Sequence, residues 1–413
     1  MTAMYRRRAL ALSAITALVI LGSGCKKSSF WRIRPGEQIH FVAKSQPTGG
    51  NAGTRTVYSG QDFVVDGDTY ERIDWVDGDM ITVGYVSYGG KDGLCAEYDH
   101  YRLSDVYSDG KSSYAGTIQP AGGGTGANGL NWKDNTHHRF FASYPNVDST
   151  DEDFIFGLVS NELTIKVPYK YPEIQVPVGT EEKTIVFCGE EVTATVYKPD
   201  MSYAYMFCNP FDYYSREGVL DEKYTPADGA FLEKEATINL PFEPHFTAFE
   251  FSAAAKTGES FQLNSVTLSS ADEDRPLTGT YIFQRVEYEE DGVTRERWTD
   301  VPKEGEISYQ ARINFTNLTL DDANPIVFTY FLNSWYSFTM LTITFNITKD
   351  GTTVNRSLKL KYANDNWVWF SYSMKHRIKN LQVPFRIELG SLWFDSDEAG
   401  NYLPGGDPFE GEI

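Results

Sequence analysis

Residues 339–362 read TMLTITFNITKDGTTVNRSLKLKY. Two β-type runs, Thr339–Ile347 and Thr352–Tyr362, flank Lys349-Asp350-Gly351, where glycine supplies the positive φ that a tight hairpin turn needs. The same pattern recurs outward from here. Gly279–Tyr288 and Arg295–Val301 flank a turn at Glu289-Glu290-Asp291-Gly292, and Glu71–Trp75 and Met80–Val86 flank Val76-Asp77-Gly78-Asp79. Between these lie further short strands. In the first half they are Gln38–Ala43, Cys95–Leu103, Ser113–Gln119, Arg139–Tyr144, Phe154–Ser160, Leu163–Val167, Lys183–Phe187, Val192–Tyr197 and Ser202–Phe207. In the second half they include Thr247–Ser252, Ser260–Ser269, Ile307–Phe315, Val327–Trp335, Arg377–Leu381, Phe385–Leu389 and Leu392–Phe394. Many short strands with frequent turns predict β-sandwiches or barrels. The 26 Tyr and 26 Phe fit, since aromatic side chains suit a pleated, half-buried surface.

The chain of 413 residues is long enough for about two domains at roughly 100–200 residues each. Asn209 to Glu235 is polar, aperiodic and broken by Pro210, Gly218, Pro226 and Gly229, so it reads as a connection. The expected architecture is all-β: a leader over residues 1–24, β-sandwich domains over 25–234 and 235–394, and an acidic tail over 395–413. Pro120 to Gly129 (PAGGGTGANG) reads as a flexible loop.

Arg6, Arg7 and Arg8 precede an apolar stretch from Ala9 to Leu21, and Gly22-Ser23-Gly24 leads into Cys25. This is the form of a secretory signal and not of a membrane span, which needs about 20 apolar residues. The small-small-Cys ending resembles a bacterial lipobox, which makes Cys25 the expected site of lipid attachment; the alternative is an ordinary cleaved signal that contains a cysteine. Two or three acyl chains hold a protein to a membrane where one does not.

The formal charge is −20, and removal of the three signal arginines leaves about −23. Such a body is a poor ligand for nucleic acid, whose binding relies on neutralising phosphates. Cys95, Cys188 and Cys208 show no C-x-x-C spacing. Cys188 and Cys208 are read either as a disulfide across neighbouring strands or as small buried apolar residues. His137 and His138 are adjacent, so on a strand they point to opposite faces, which places them at a surface or edge and not on one metal. His40, His100, His245 and His376 stand alone. The acidic groups Asp77/Asp79, Asp272-Glu273-Asp274 and Asp321-Asp322 read as turns and solvated loops, with no calcium-loop spacing. No nucleophile elbow, P-loop or dinucleotide fingerprint is present, so the sequence implies no cofactor, no metal and no enzyme. A glycosidase, which needs only two carboxylates at the right separation, is the remaining catalytic reading. Trp367 and Trp369 share one strand face, as core residues or as a platform for sugars.

Several stretches, in order, carry a resemblance. They are QIHFVA (38–43) with Thr54-Arg55-Thr56, Ile73-Asp74-Trp75 with Gly78-Asp79-Met80-Ile81, and Phe140-Phe141-Ala142-Ser143-Tyr144-Pro145. Tyr203-Ala204-Tyr205-Met206, LPFEPHFTAFEF (240–251), Val266-Thr267-Leu268-Ser269-Ser270, Leu277-Thr278-Gly279 and Phe370 with Lys375-His376-Arg377-Ile378 follow. The mature chain resembles the fimbrillin family of Bacteroidales lipoproteins, the type V pilin subunits and their relatives. The resemblance implies two tandem transthyretin-like sandwiches and a fimbrial structural or adhesive subunit assembled by strand exchange. It further implies outer-membrane attachment through lipid, removal of the first strand by a trypsin-like protease, and other fimbrial subunits as partners. Mapped here, Ile39, Phe41 and Ala43 are the inward side chains of the removable strand, and Arg55 and Lys44 the candidate cleavage sites. Phe385, Ile387 and Leu389 alternate on one face as a donor strand. Both sets also fit permanent strands of their own domains. The alternatives in function are a non-polymerising anchor or tip and a surface lipoprotein that binds a glycan or a host or bacterial surface ligand.

Overall fold

The computed structural model describes residues 36–45, 57–65, 68–89, 92–108, 112–126, 128–134, 137–159, 162–214, 237–270, 275–290, 293–333, 341–360, 375–383, 386–389 and 392–395. In chain order the strands are β1 (Phe41–Ser45), β2 (Val57–Val65), β3 (Asp68–Asp74), β4 (Met80–Tyr88), β5 (Cys95–Ser108), β6 (Ser113–Pro120), β7 (His137–Tyr144) and β8 (Ile155–Val159). Next come β9 (Glu162–Tyr171), β10 (Gly179–Phe187), β11 (Glu190–Lys198), β12 (Met206–Tyr214), β13 (Ile238–Pro244), β14 (Phe246–Ala255), β15 (Ser260–Ser270) and β16 (Thr278–Glu290). The last are β17 (Val293–Ser308), β18 (Gln310–Asp321), β19 (Ile326–Asn333), β20 (Leu341–Lys349), β21 (Thr352–Leu360), β22 (Lys375–Val383), β23 (Arg386–Leu389) and β24 (Leu392–Asp395). One 3-10 turn, Met201–Tyr203, is the only helical element among the described residues. The protein is all-β, as its sequence predicts.

The β20–β21 hairpin forms as read, with Lys349 opposite Thr352 across Asp350 and Gly351, both at positive φ (51° and 76°). Leu341, Ile343, Phe345 and Ile347 alternate inward, the signature of a strand with one wet face. β16 and β17 also pair with each other, but the ladder runs on to Glu290 opposite Val293, so Glu289 and Glu290 belong to the strand and not to the turn. The turn at Asp77-Gly78 is present, but the strands it joins do not pair with each other: β3 pairs with β2, and β4 lies between β5 and β7.

Three cores organise the sheets. One lies between the seven-stranded sheet β10-β11-β19-β14-β22-β23-β24 and the sheet β18-β15-β20-β21, a sandwich around Phe251, Val266, Phe328 and Phe345. In the first part of the chain the sheet closes on itself. Its strands close into a barrel, β1-β13-β12-β7-β4-β5-β6, filled by Phe41, Trp75, Tyr85, Phe140 and Leu240. Closure removes the sheet edges that an open sheet leaves to be covered. A third core joins the outer face of the barrel (Val86, Phe141, Phe207) to the sheet β17-β16-β9-β8 and to Ala248 and Phe331. Phe141 stacks there at 5.9 Å on both Phe283 and Trp298.

Pairing crosses the boundary that the sequence suggests near residue 234. β13 stands in the barrel between β1 and β12, β9 pairs with β16, and β11 pairs in parallel with β19. The sheets therefore do not divide at 234, and β12 extends to Tyr214 into the stretch read as a connection. No disulfide links Cys188 and Cys208. Cys188 occupies the β10–β11 turn at φ 52°, whereas Cys208 is fully buried inside the barrel, so they are not on neighbouring strands.

Gln175, buried between β9 and β10, completes the ladder where β11 leaves off. β11 accompanies β19 only from Ile326 to Phe328. At Phe331 the Gln175 amide substitutes for a strand: its Nε2 donates to the Phe331 carbonyl (2.6 Å) and its Oε1 accepts from the Phe331 N–H (2.9 Å). Gln175→Ala is expected to lose about 2 kcal/mol in urea unfolding, because it strands a buried donor and acceptor together. A loss below about 0.5 kcal/mol would mean that water replaces the amide.

Candidate functional site

β1 is the segment on which the resemblance places function, and its seating follows from alternation. Ile39, Phe41, Ala43 and Ser45 are buried in the barrel core, while Val42 and Lys44 are half-buried on the other side. The Phe41 ring packs edge-on against Tyr101 (5.4 Å) and Phe140 (5.8 Å), a favoured aromatic geometry. Burial of Ile39 and Phe41 contributes about 4 kcal/mol together. On one side β1 runs parallel to β13, Phe41–Ser45 along Ile238–Phe242. On the other it meets β6 only with Ala43 and Lys44 opposite Ala115 and Tyr114.

The end of β1 carries a polar lock. Ser45 Oγ accepts from the Ser113 N–H (2.8 Å) and donates to the Ser113 carbonyl (3.2 Å), and Ser113 Oγ accepts from the Trp75 N–H (3.0 Å). Both serines are buried, at 3% and 0% exposure, so each bond shields groups that water does not reach. Lys44 Nζ lies 5.4 Å from the centre of the Tyr114 ring, which stacks at 5.1 Å on the exposed Tyr107.

The start of β1 is seated by the glycine-rich segment, which is not a free loop. The fully buried Asp99 carboxylate accepts from the backbone N–H groups of His100 (2.9 Å), Gly124 (3.2 Å) and Gly129 (2.7 Å). Gly124 approaches β5 so closely that a Cβ would stand 2.1 Å from the Tyr98 carbonyl oxygen. Held this way, the following residues pair with the strand entrance: Ile39 N–H donates to Leu130 O (2.9 Å), Gly36 N–H to Trp132 O (2.8 Å) and Trp132 N–H to Glu37 O (2.9 Å). Leu130 N–H in turn donates to the Tyr101 hydroxyl (2.7 Å).

A cavity of about 410 Å³ opens along the third core, between residues 143–153 and strands β9, β16 and β17. Lys303 ties its walls together, bonded to Asp153 (2.7 Å) and Glu306 (2.9 Å), and these hydrogen bonds raise the lysine pKa. The Thr150 hydroxyl and N–H hold the Asp148 carboxyl below its usual range. Beside the cavity His245 Nε2 lies 2.7 Å from Asp300 Oδ2, and Asp300 is almost wholly buried. Burial, reinforced by that carboxylate, pushes the Tyr169 hydroxyl pKa well above its ordinary value. Rings of Phe207, Phe283 and Tyr169 enclose His245, so the pair fastens the β13–β14 junction to β17. Among the described residues no group of three or more His, Cys, Asp or Glu is placed to hold a metal ion.

Of the sequence-predicted residues, Cys25, Arg55 and Phe385 lie outside the described residues, as do Trp367 and Trp369. Ile387 and Leu389 belong to β23, which pairs with β22 on one side and β24 on the other. Lys44 does not follow the first strand but lies within it. His137 and His138 are both buried, at 2% and 0% exposure, where the sequence places them at a surface or edge. β7 has core on each face, the barrel interior on one and the third core on the other, which leaves no wet side for either ring. Asp99, Gln175 and the Ser45–Ser113 lock were missed. None of them carries a local cue: Asp99 lies on β5, and the glycine segment it holds begins only after β6, 25 to 30 positions further on.

No protein-family model matches the chain, and no curated protein matches it. Among solved structures, it is similar to a protein from Bacteroides fragilis assigned to cell adhesion, with 10% identity over 83% of this chain and 91% of that one (TM-score 0.36). A protein from Bacteroides ovatus with the same assignment gives 11% identity over 84% and 95% (TM-score 0.36). The C-terminally truncated tip fimbrial protein Mfa3 from Porphyromonas gingivalis gives 7% identity over 68% and 76% (TM-score 0.22).

Proposed function

We propose that this chain is a fimbrial structural or adhesive subunit, exported as a lipoprotein through Cys25 and assembled by exchange of its first strand, with no catalysis of its own. The observation that carries the reading is the seating of β1: a five-residue strand closes the barrel, with full backbone pairing to β13 and two residues opposite β6. Its withdrawal leaves unpaired N–H and C=O groups on two strands and an apolar trough between them, which an incoming strand satisfies together. A trypsin-like protease cutting at Arg55 frees the segment that holds β1. Cutting at Lys44 instead requires the ladder to open first, because Lys44 pairs with both neighbours. The partners are other fimbrial subunits, and the location is the outer membrane and cell surface.

The pairing of β23 favours a second reading, a non-polymerising anchor or tip. A strand already held between β22 and β24 is not available to a neighbour until it is released. N-terminal sequencing of the mature protein from cells separates the two. A start at Thr56 or Ser45, with SDS-resistant ladders on gels, is the result expected of a polymerising subunit. A start at Cys25 with a single monomer band overturns polymerisation and leaves the anchor.

A further inference from the structure

The barrel slot holds its strand at four inward positions, and these differ in what they tolerate. The Ile39 and Phe41 positions are large and apolar, and the Phe41 ring meets those of Tyr101 and Phe140 edge-on. Ala43 has no exposure at all. It stands opposite Ala115 on β6 and Leu240 on β13, both equally buried. A methyl group fills this position, and a longer side chain displaces packed neighbours on both flanks. The next inward position is read by hydrogen bonds: the Ser45 hydroxyl is at once the acceptor for Ser113 N–H and the donor to Ser113 C=O. A residue without that hydroxyl leaves both groups buried and unpaired, the kind of site that rejects an analogue more strongly than apolar fit alone does.

We infer that this end of the slot is a selectivity filter: it admits a strand with a small residue at the Ala43 position followed, two residues on, by serine. The filter rests on the strand-exchange reading above and specifies the partner. The chain's own candidate donor, Phe385-Arg386-Ile387-Glu388-Leu389-Gly390-Ser391, aligns with Ile39-His40-Phe41-Val42-Ala43-Lys44-Ser45 in the same direction. It presents serine where serine is read, but Leu389 falls where only Ala43 fits. The slot therefore refuses a second copy of this chain and takes a strand from a different subunit, of the pattern large-x-aromatic-x-Ala/Gly-x-Ser.

The test uses the full chain with a site-specific protease sequence inserted between Gly50 and Asn51, cut after folding so that the first segment stays bound until exchanged. Labelled peptides are then offered. They are residues 38–45 (QIHFVAKS), the same peptide carrying Ala43→Leu, the same carrying Ser45→Ala, and residues 383–391 (VPFRIELGS). The native peptide is expected to displace the cut segment. Each of the other three should do so at least tenfold more weakly. Leu240→Ala in the barrel should restore binding of the Ala43→Leu peptide and leave the Ser45→Ala peptide excluded. If the native peptide exchanges and the other three match it, the filter is wrong and strand exchange stands. If the native peptide itself never displaces the cut segment, strand exchange at this slot fails, and the filter falls with it.

Discussion

Asp99→Ala is expected to lower stability by about 4 kcal/mol, among the larger effects of any single substitution in this chain. The carboxylate is fully buried and holds three backbone N–H groups, those of His100, Gly124 and Gly129. Hydrogen bonds to a charged acceptor are the stronger kind, and alanine provides no acceptor for the three N–H groups. Asp99→Asn keeps one acceptor oxygen and should fall between wild type and alanine. The damage should also be directional. The glycine segment positions Leu130 and Trp132, and these pair with Gly36, Glu37 and Ile39 at the entrance to β1. Hydrogen exchange of the Phe41 and Ala43 amides is therefore expected to accelerate in Asp99→Ala more than exchange within β20. Uniform acceleration in both places would show that Asp99 supports the molecule as a whole and not the seat of β1. An unfolding free energy in urea unchanged within about 0.5 kcal/mol would show that the three hydrogen bonds to Asp99 do not stabilise the fold.

How much of this was legible in the sequence depends on the distance over which each interaction acts. The hairpins β20–β21 and β16–β17 were readable because a glycine-containing turn and strict alternation lie within one short window. The turn at Asp77-Gly78 shows the limit of that reasoning. Its local chemistry is right, with Asp79 Oδ2 accepting from Val76 N–H, yet the flanking strands find other partners. Parallel pairing of β1 with β13 joins residues nearly two hundred positions apart and leaves no local trace, so a sheet that spans position 234 is not legible in the sequence. Period-two logic located Ile39, Phe41 and Ala43 on one buried face, because β1 has a single core face. It failed for His137 and His138, because β7 has two. The Ser45–Ser113 lock is invisible for a further reason: serine in a strand carries no burial signal of its own, and only the register of β1 against β6 makes the two meet.

Acid is expected to destabilise the protein through His138, by about 2 kcal/mol between neutrality and pH 5. Burial is the main cause that lowers the His138 pKa from 6.5 to about 3, with the neighbouring His137 and Lys133 adding to it. The ring sits neutral among Trp132, Tyr85 and Phe140, and its Nε2 accepts from the Lys133 N–H at 3.3 Å, which places the ring proton on Nδ1. The sign follows from proton counting. Below pH 6.5 the unfolded chain takes up a proton that the folded chain refuses until about pH 3, so stability is full above 6.5 and falls with pH across that window. Burial lowers the His100 pKa in the same direction and steepens the fall. His138→Phe isolates the contribution. The phenyl ring keeps the aromatic packing but loses the Lys133 bond, which costs about 1 kcal/mol at pH 7.5. In exchange, the variant should lose about one proton's worth of slope between pH 6 and pH 4.5, so the two stability curves converge on acidification and then cross. Urea unfolding from pH 7.5 to 4.5 reads this directly. Parallel curves for wild type and variant would mean that His138 is protonated in the folded barrel, and that the acid sensitivity belongs to another group.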